Sequence, residues 1–171
     1  KKLSITFLLP PVSMAGGIRV VAIYAKALQK MGHTVTLVSQ PRKALGLRTM
    51  LKSLLRGKLP KRTKRHPSHV DNIGVPHTII DTHRPIISSD VPDGDVVVAT
   101  WWETAEWCNA LADSKGKKVY FVQGHEVFEN LPQDRCRASY RLPLKKITIA
   151  QWLVEVMRDE YGDNDVDLVP N

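Results

Sequence analysis

Three short stretches hold the residues whose types and spacing could do chemistry. "MAGGIRV" sets Gly16 and Gly17 between an apolar run and the first turn of a helical pattern, with Arg19 two residues on. "ATWWETAEW" sets Trp101 and Trp102 just after a β-like run, and "VQGHEVF" sets His125 and Glu126 after another. Glycines before a helix let a ligand approach the backbone, and helix-start N–H groups meet it with the positive end of the dipole. An imidazole titrates near neutrality, so His125 can donate to a hydroxyl or polarise a leaving oxygen. Glu126 can orient that histidine or cap a helix start. Indole faces stack on sugar rings and lipid tails, and they also fill cores, as Trp107 is expected to do. Of the adjacent pair, one tryptophan should point inward and the other into a cleft.

These stretches need a frame. Ser4–Leu9 reads as a buried strand. Residues 18–31 read as a helix, because Ile18, Val21, Ala22, Ala25, Leu28 and Met31 recur at helical spacing, with Gly32 after its end. Thr34–Ser39 is β-branched and apolar, a second strand. Further strands are expected at 77–81, 95–99 and 118–123, with a helix near 103–112. "KKITIAQWLVEVMRDEYG" reads as a short strand running into a helix that stops at Gly162, and "DVDLVPN" as a last strand. Strands alternating with helices imply an α/β fold, a Rossmann-like three-layer sandwich around a mainly parallel sheet. Ligands of such sheets bind outside the carboxyl ends of the strands. All three stretches lie on that rim.

Several chemistries are disfavoured. A dinucleotide fingerprint needs G-x-G-x-x-G and an acid about 20 residues on. Here the glycines are adjacent, and no acid precedes Asp71. Arg42 could serve the extra phosphate of NADP, but the glycine spacing is still missing. No P-loop motif is present. The aspartates at 93–95 and 163–167 precede strands, so they belong to the opposite edge and read as solvated turns rather than a metal site. Two cysteines, Cys108 and Cys136, are too few for a disulfide framework or a zinc site and fit a reducing cytoplasm.

Charge is divided along the chain. The first 70 residues carry 15 Lys and Arg and no acid, whereas the remainder carries 10 Lys and Arg and 17 Asp and Glu. That asymmetry points to an anionic partner for the first part. It is densest in a basic insertion over 42–70. There Leu47, Met50, Leu51, Leu54 and Leu55 share one helical face, and Arg48, Lys52, Arg56 and Lys58 lie largely elsewhere around it. A basic amphipathic helix of this kind suits an anionic membrane surface. A solvated loop and a nucleic-acid patch are the alternatives, the latter disfavoured by the lack of interleaved aromatics.

The opening "PPVSMAGGIRVVAIYAKALQKMGHTVTLVS" and the closing "KKITIAQWLVEVMRDEYG…VDLVPN" together resemble the N-terminal domain of a GT-B glycosyltransferase, in the retaining group known as family 4 (group 1). Members begin with a strand, a Gly-Gly loop and a long helix. They close the first domain with a helix ending "YG" and then "V-PNG". "YFVQGHE" is similar to the fifth-strand loop of relatives that make rhamnose-type surface polysaccharides. One departure is Gln151, where members carry a capping serine.

The resemblance implies that residues 1–171 form a single acceptor-side domain, with the donor-binding C-terminal domain outside the chain. The full enzyme would move a sugar from a nucleotide-sugar to a glycan, polysaccharide or lipid-linked acceptor. It would need no cofactor and no metal, and it would work in the cytoplasm, peripherally at the inner face of the membrane. By the same resemblance, Gly16 and Gly17 approach the donor's diphosphate, and His125 contacts the transferred sugar as the catalytic residue. Arg19, Trp101, Trp102 and Glu126 serve the acceptor. This domain alone should be inactive. The competing expectations are an NADP- or other nucleotide-binding Rossmann domain and a non-enzymatic basic module for membrane or nucleic acid.

Overall fold

The computed structural model of the chain describes residues 1–43, Leu55 and 66–170. The basic amphipathic helix expected around Arg48, Lys52, Arg56 and Lys58 falls on residues outside the described ones.

Seven parallel strands form one sheet: β1 (Ser4–Leu9), β2 (Thr34–Ser39), β3 (His77–Ile79), β4 (Val96–Ala99), β5 (Lys117–Val122), β6 (Lys145–Thr148) and β7 (Val166–Leu168). Their spatial order is β3-β2-β1-β4-β5-β6-β7. β1 is therefore an interior strand, with Ile5 facing both Val35 and Val96 across the two ladders. The chain builds outward on one side of β1, returns, and builds outward on the other. Between β1 and β4 the connections diverge and leave a crevice.

Side-chain alternation along the strands divides the interior into two cores. Phe7, Leu9, Leu37, Val98 and Phe121 face helix α1 (Gly16–Lys30), which contributes Ile18, Val21, Ala22 and Ala25. Leu8, Val38, Val97, Ala99, Tyr120 and Val122 face the other way. Three helices supply that second layer: α2 (Trp102–Ala110), α3 (Gln133–Ser139) and α4 (Gln151–Tyr161). From them Ala105, Trp107, Cys108, Leu153 and Met157 enter the core. A period of two in each strand thus meets a period of 3.6 in each helix, which makes the three-layer sandwich expected from sequence.

Observed ends differ slightly from the expected ones. α1 starts at the glycines themselves rather than at residue 18. α3 is an element that apolar periodicity does not announce: in "QDRCRAS" only Cys136 and Ser139 are buried.

Local pins fix the ends of the frame. The Lys118 ammonium donates to the carbonyls of Asn109 (3.0 Å) and Leu111 (2.6 Å), capping the end of α2. Buried Lys146 pairs with Asp163 at 2.6 Å. Asp93 pairs with Lys115 at 2.6 Å, and Lys145 pairs with Asp165. These aspartates sit on the edge away from the crevice. Gly116, entering β5, has φ +93°, and a Cβ there would fall 2.3 Å from the Asp95 carbonyl carbon, so only glycine fits.

Candidate functional site

The crevice is roofed by three loops, each held by its own hydrogen bonds. After β1, Pro10 and Pro11 lead to Ser13, whose hydroxyl accepts the Ala15 N–H at 3.2 Å. α1 then begins with no side-chain cap and no acid in its first turn. Its leading N–H groups are left for an external acceptor.

Neither glycine at this start is demanded from within. Neither has a positive φ. A Cβ on Gly16 would meet nothing within 4 Å. One on Gly17 would lie 3.6 Å from Gln123 Oε1, an ordinary contact. Glycine costs a helix about 1 kcal/mol relative to alanine. Two in succession, with no internal cause, mark a place where something from outside comes close.

After β4, one hydroxyl organises the turn. Thr104 Oγ1 accepts the N–H groups of Thr100 and Trp101, each at 2.9 Å, and donates to the Trp101 carbonyl at 2.8 Å. Thr100 Oγ1 donates to the Leu8 carbonyl at 2.8 Å, locking β4's end to β1. This holds Trp101 extended at the head of α2, where it lines the crevice. Trp102, one residue on, turns into the core. It is 4% exposed, and the Arg135 guanidinium lies 4.7 Å from its ring centroid. The two tryptophans divide as alternation requires, and Trp102 takes no part in the crevice.

After β5, Tyr140 clamps the loop. Its phenol, on a fully buried ring, donates to the Gly124 carbonyl at 3.0 Å and accepts the Glu126 N–H at 2.9 Å. The result separates His125 from Glu126. His125 is not among the residues lining the crevice. Its Nε2 lies 2.6 Å from the Tyr161 hydroxyl and 3.8 Å from Glu160, and its ring packs on Tyr140. Glu126 does line the crevice, where the backbone N–H of Trp102 at the head of α2 favours its charged form. Burial pushes its pKa up to about 8 against the pull of that one N–H.

The cavity so enclosed has a volume of about 280 Å³. Beside Trp101 and Glu126 it is walled by Gly17, Thr100 and Gln123. Gln123 Oε1 is buried there with no hydrogen-bond partner. Arg19 lies elsewhere. With Gly16, Ile23 and Tyr24 it lines a second, mostly apolar groove of about 650 Å³ along the outer side of α1. Tyr24 Oη donates at 3.3 Å to the Val169 carbonyl beside that groove. Arg42 donates to the Val12 carbonyl at 3.2 Å.

Sequence reasoning passed over two residues of this site, Gln123 and Thr100. Each is the polar residue that directly follows an apolar strand, which is the signal that could have found it. Among the described residues there is no cluster of His, Cys, Asp and Glu able to hold a metal ion. Among the same residues no helix is long and apolar enough to cross a membrane.

No protein-family model matches the chain, and no curated protein matches it. Among solved structures it is similar to a glycosyltransferase from Rickettsia africae ESF-5, with a TM-score of 0.50 and 17% identity. The match covers all of this chain and 43% of that one, so the chain spans less than half of that protein's length. The likeness establishes a shared fold: an α/β, Rossmann-like domain with an all-parallel sheet.

Proposed function

We propose that the chain is the acceptor-side domain of a glycosyltransferase that takes its sugar from a nucleoside-diphosphate sugar, the donor being bound chiefly by a second domain outside residues 1–171. The acceptor is a glycan, a polysaccharide or a lipid-linked sugar, and transfer proceeds with retention. One observation carries this reading. At the β1–β4 crevice two glycines stand at an uncapped helix start with nothing inside the protein requiring them. Such a start suits close approach by a diphosphate presented from across a cleft. The resemblance of the opening and closing stretches to family 4 transferases, and the shared fold with a glycosyltransferase, support the same class. The basic composition of the insertion suits an anionic membrane surface, which supports a peripheral place for the enzyme on the cytoplasmic face.

In this reading Glu126 and Trp101 meet the sugar side of the reaction. Gly16, with Arg19 one turn away, meets the charged side. His125, held by Tyr161, acts through its backbone and through the set of the loop it shares with Glu126. Calorimetry of residues 1–171 with UDP-, dTDP- and GDP-sugars tests the class. Binding is expected to be weak or undetectable, and transfer is expected only when a second domain is present. Robust turnover by this domain alone, or NADP(H) affinity that vanishes in Arg42→Ala, would overturn the proposal.

A further inference from the structure

The first turn of α1 looks into two unlike spaces. Gly16 and Arg19 border the outer groove, which holds a cation. Gly17 and Ile18 border the inner cavity, whose lining includes no lysine, arginine or histidine. A phosphate brought into the inner cavity would meet no countercharge, and burying an unpaired anion is costly. What that cavity offers is an indole, a buried amide oxygen without a donor, a hydroxyl, and a carboxyl group. An orphan buried acceptor calls for a ligand that donates. An indole beside polar groups suits a ring with an apolar face and a hydroxylated edge.

We infer that the inner cavity takes an uncharged, hydroxyl-bearing ring of the size of a monosaccharide, lying against Trp101, donating to Gln123 and hydrogen-bonding the carboxyl group of Glu126, and that phosphate groups stay outside it. The inference rests on the reading of this rim as a sugar-transfer site and names the ligand class of its inner half. It also assigns Gln123, whose amide lies across from Gly17, 3.6 Å from where a Cβ there would sit.

The protonation of Glu126 makes the idea sharp. The titratable groups set against its carboxyl are the phenols of Tyr120 on β5 and of Tyr140, and the Cys136 thiol of α3. Burial pushes each of them upward, so none supplies a charge near neutrality. Below about pH 8 Glu126 keeps its proton and can donate; above it the carboxylate can only accept.

The test is ligand-observed NMR on residues 1–171 with methyl glycosides of glucose, galactose, mannose and rhamnose, and with sodium pyrophosphate as the charged probe. At least one glycoside is expected to bind and to lose that binding in Trp101→Ala. Its affinity should fall about tenfold between pH 7 and pH 9, as a single group titrating near 8 requires. Glu126→Gln, a neutral group that can still donate, should bind at both pH values with a flat profile. Circular dichroism of both variants shows whether the fold is kept. If Trp101→Ala is unfolded, Gln123→Leu serves as the second probe, and loss of glycoside binding is again expected. The inference is overturned if no glycoside binds, if pyrophosphate displaces a bound glycoside, or if Glu126→Gln keeps the wild-type pH profile. The proposed transferase class fails separately, through turnover by the isolated domain or NADP(H) affinity. Glycoside binding and donor chemistry are read in different experiments.

Discussion

At the scale of single residues, the two glycines of α1 and the carboxyl of Glu126 are the places where stability has been set aside. Alanine at Gly16 would enter open space in a helical turn that favours it, and alanine at Gly17 would make only ordinary contact with Gln123. Gly16→Ala is therefore expected to stabilise the fold by roughly 0.5–1 kcal/mol in urea denaturation while weakening approach of a ligand to the helix start. A neutral or negative change in stability would show that the glycine has an internal cause after all. The glycines and the neighbouring arginine could be read from sequence because residue type alone carries their meaning. The environment of Glu126 could not. It depends on an N–H of α2, contributed by a residue 24 positions earlier, and on burial, which has no local signature. The position of His125 is equally non-local, since the Tyr161 hydroxyl that meets it comes from 36 residues further on.

At the scale of elements, Tyr140 is the hinge pin of the site. It follows α3, a seven-residue helix, and reaches back to fix two backbone groups of the β5 loop with one hydroxyl. Tyr140→Phe keeps the ring in place beside Tyr120 and Tyr161 but leaves the Gly124 carbonyl and the Glu126 N–H without that partner. A loss of about 1–3 kcal/mol is expected in urea unfolding, together with weaker glycoside binding. A variant that loses stability yet binds normally would mean that the loop holds its shape without the clamp. The strands and the longer helices were legible in sequence because each buries a continuous face and so repeats at two or at 3.6. α3 was not. It is short and polar, and its work is done by the tyrosine just beyond it rather than by a stripe of its own.

At the scale of the whole molecule, three carboxyl groups pull the pH dependence of stability in opposite directions. Asp90 is held below its ordinary value of 3.8 first by the Arg84 guanidinium, which binds it through two nitrogens at 2.6 and 2.9 Å. For Asp163 burial works against the charge, but the Lys146 ammonium and the Asp165 N–H outweigh it, and its pKa is also lowered. Both contribute stability that is present above the unfolded value near 3.8 and lost as the pH falls through their lower folded values. Glu126 has the opposite sign. Its folded value of about 8 lies above the ordinary 4.5, so the native state holds a proton the unfolded chain has released. Its contribution is present below 4.5 and is lost as the pH rises toward 8. Urea midpoints measured from pH 3 to pH 9 should fall at both ends, and Glu126→Gln should flatten the alkaline fall alone. A wild-type curve still rising between pH 5 and pH 8 would contradict the burial of that carboxyl.

The interior place of β1, paired on both edges, has a consequence in time. The strand made first is flanked by β2, about 30 residues later, and by β4, about 90 residues later. As the chain grows, β1 can pair on one side almost at once, while its other edge, bearing Phe7 and Leu8, stands unpaired until β4 is synthesised. The seam between those two strands is thus the join of longest sequence separation in the sheet. Because long-range parallel pairing forms slowly, the ligand cavity above it comes into being only when the two halves meet. A ligand that bridges the Gly17 and Trp101 sides of that seam would hold closed the longest-range join of the sheet.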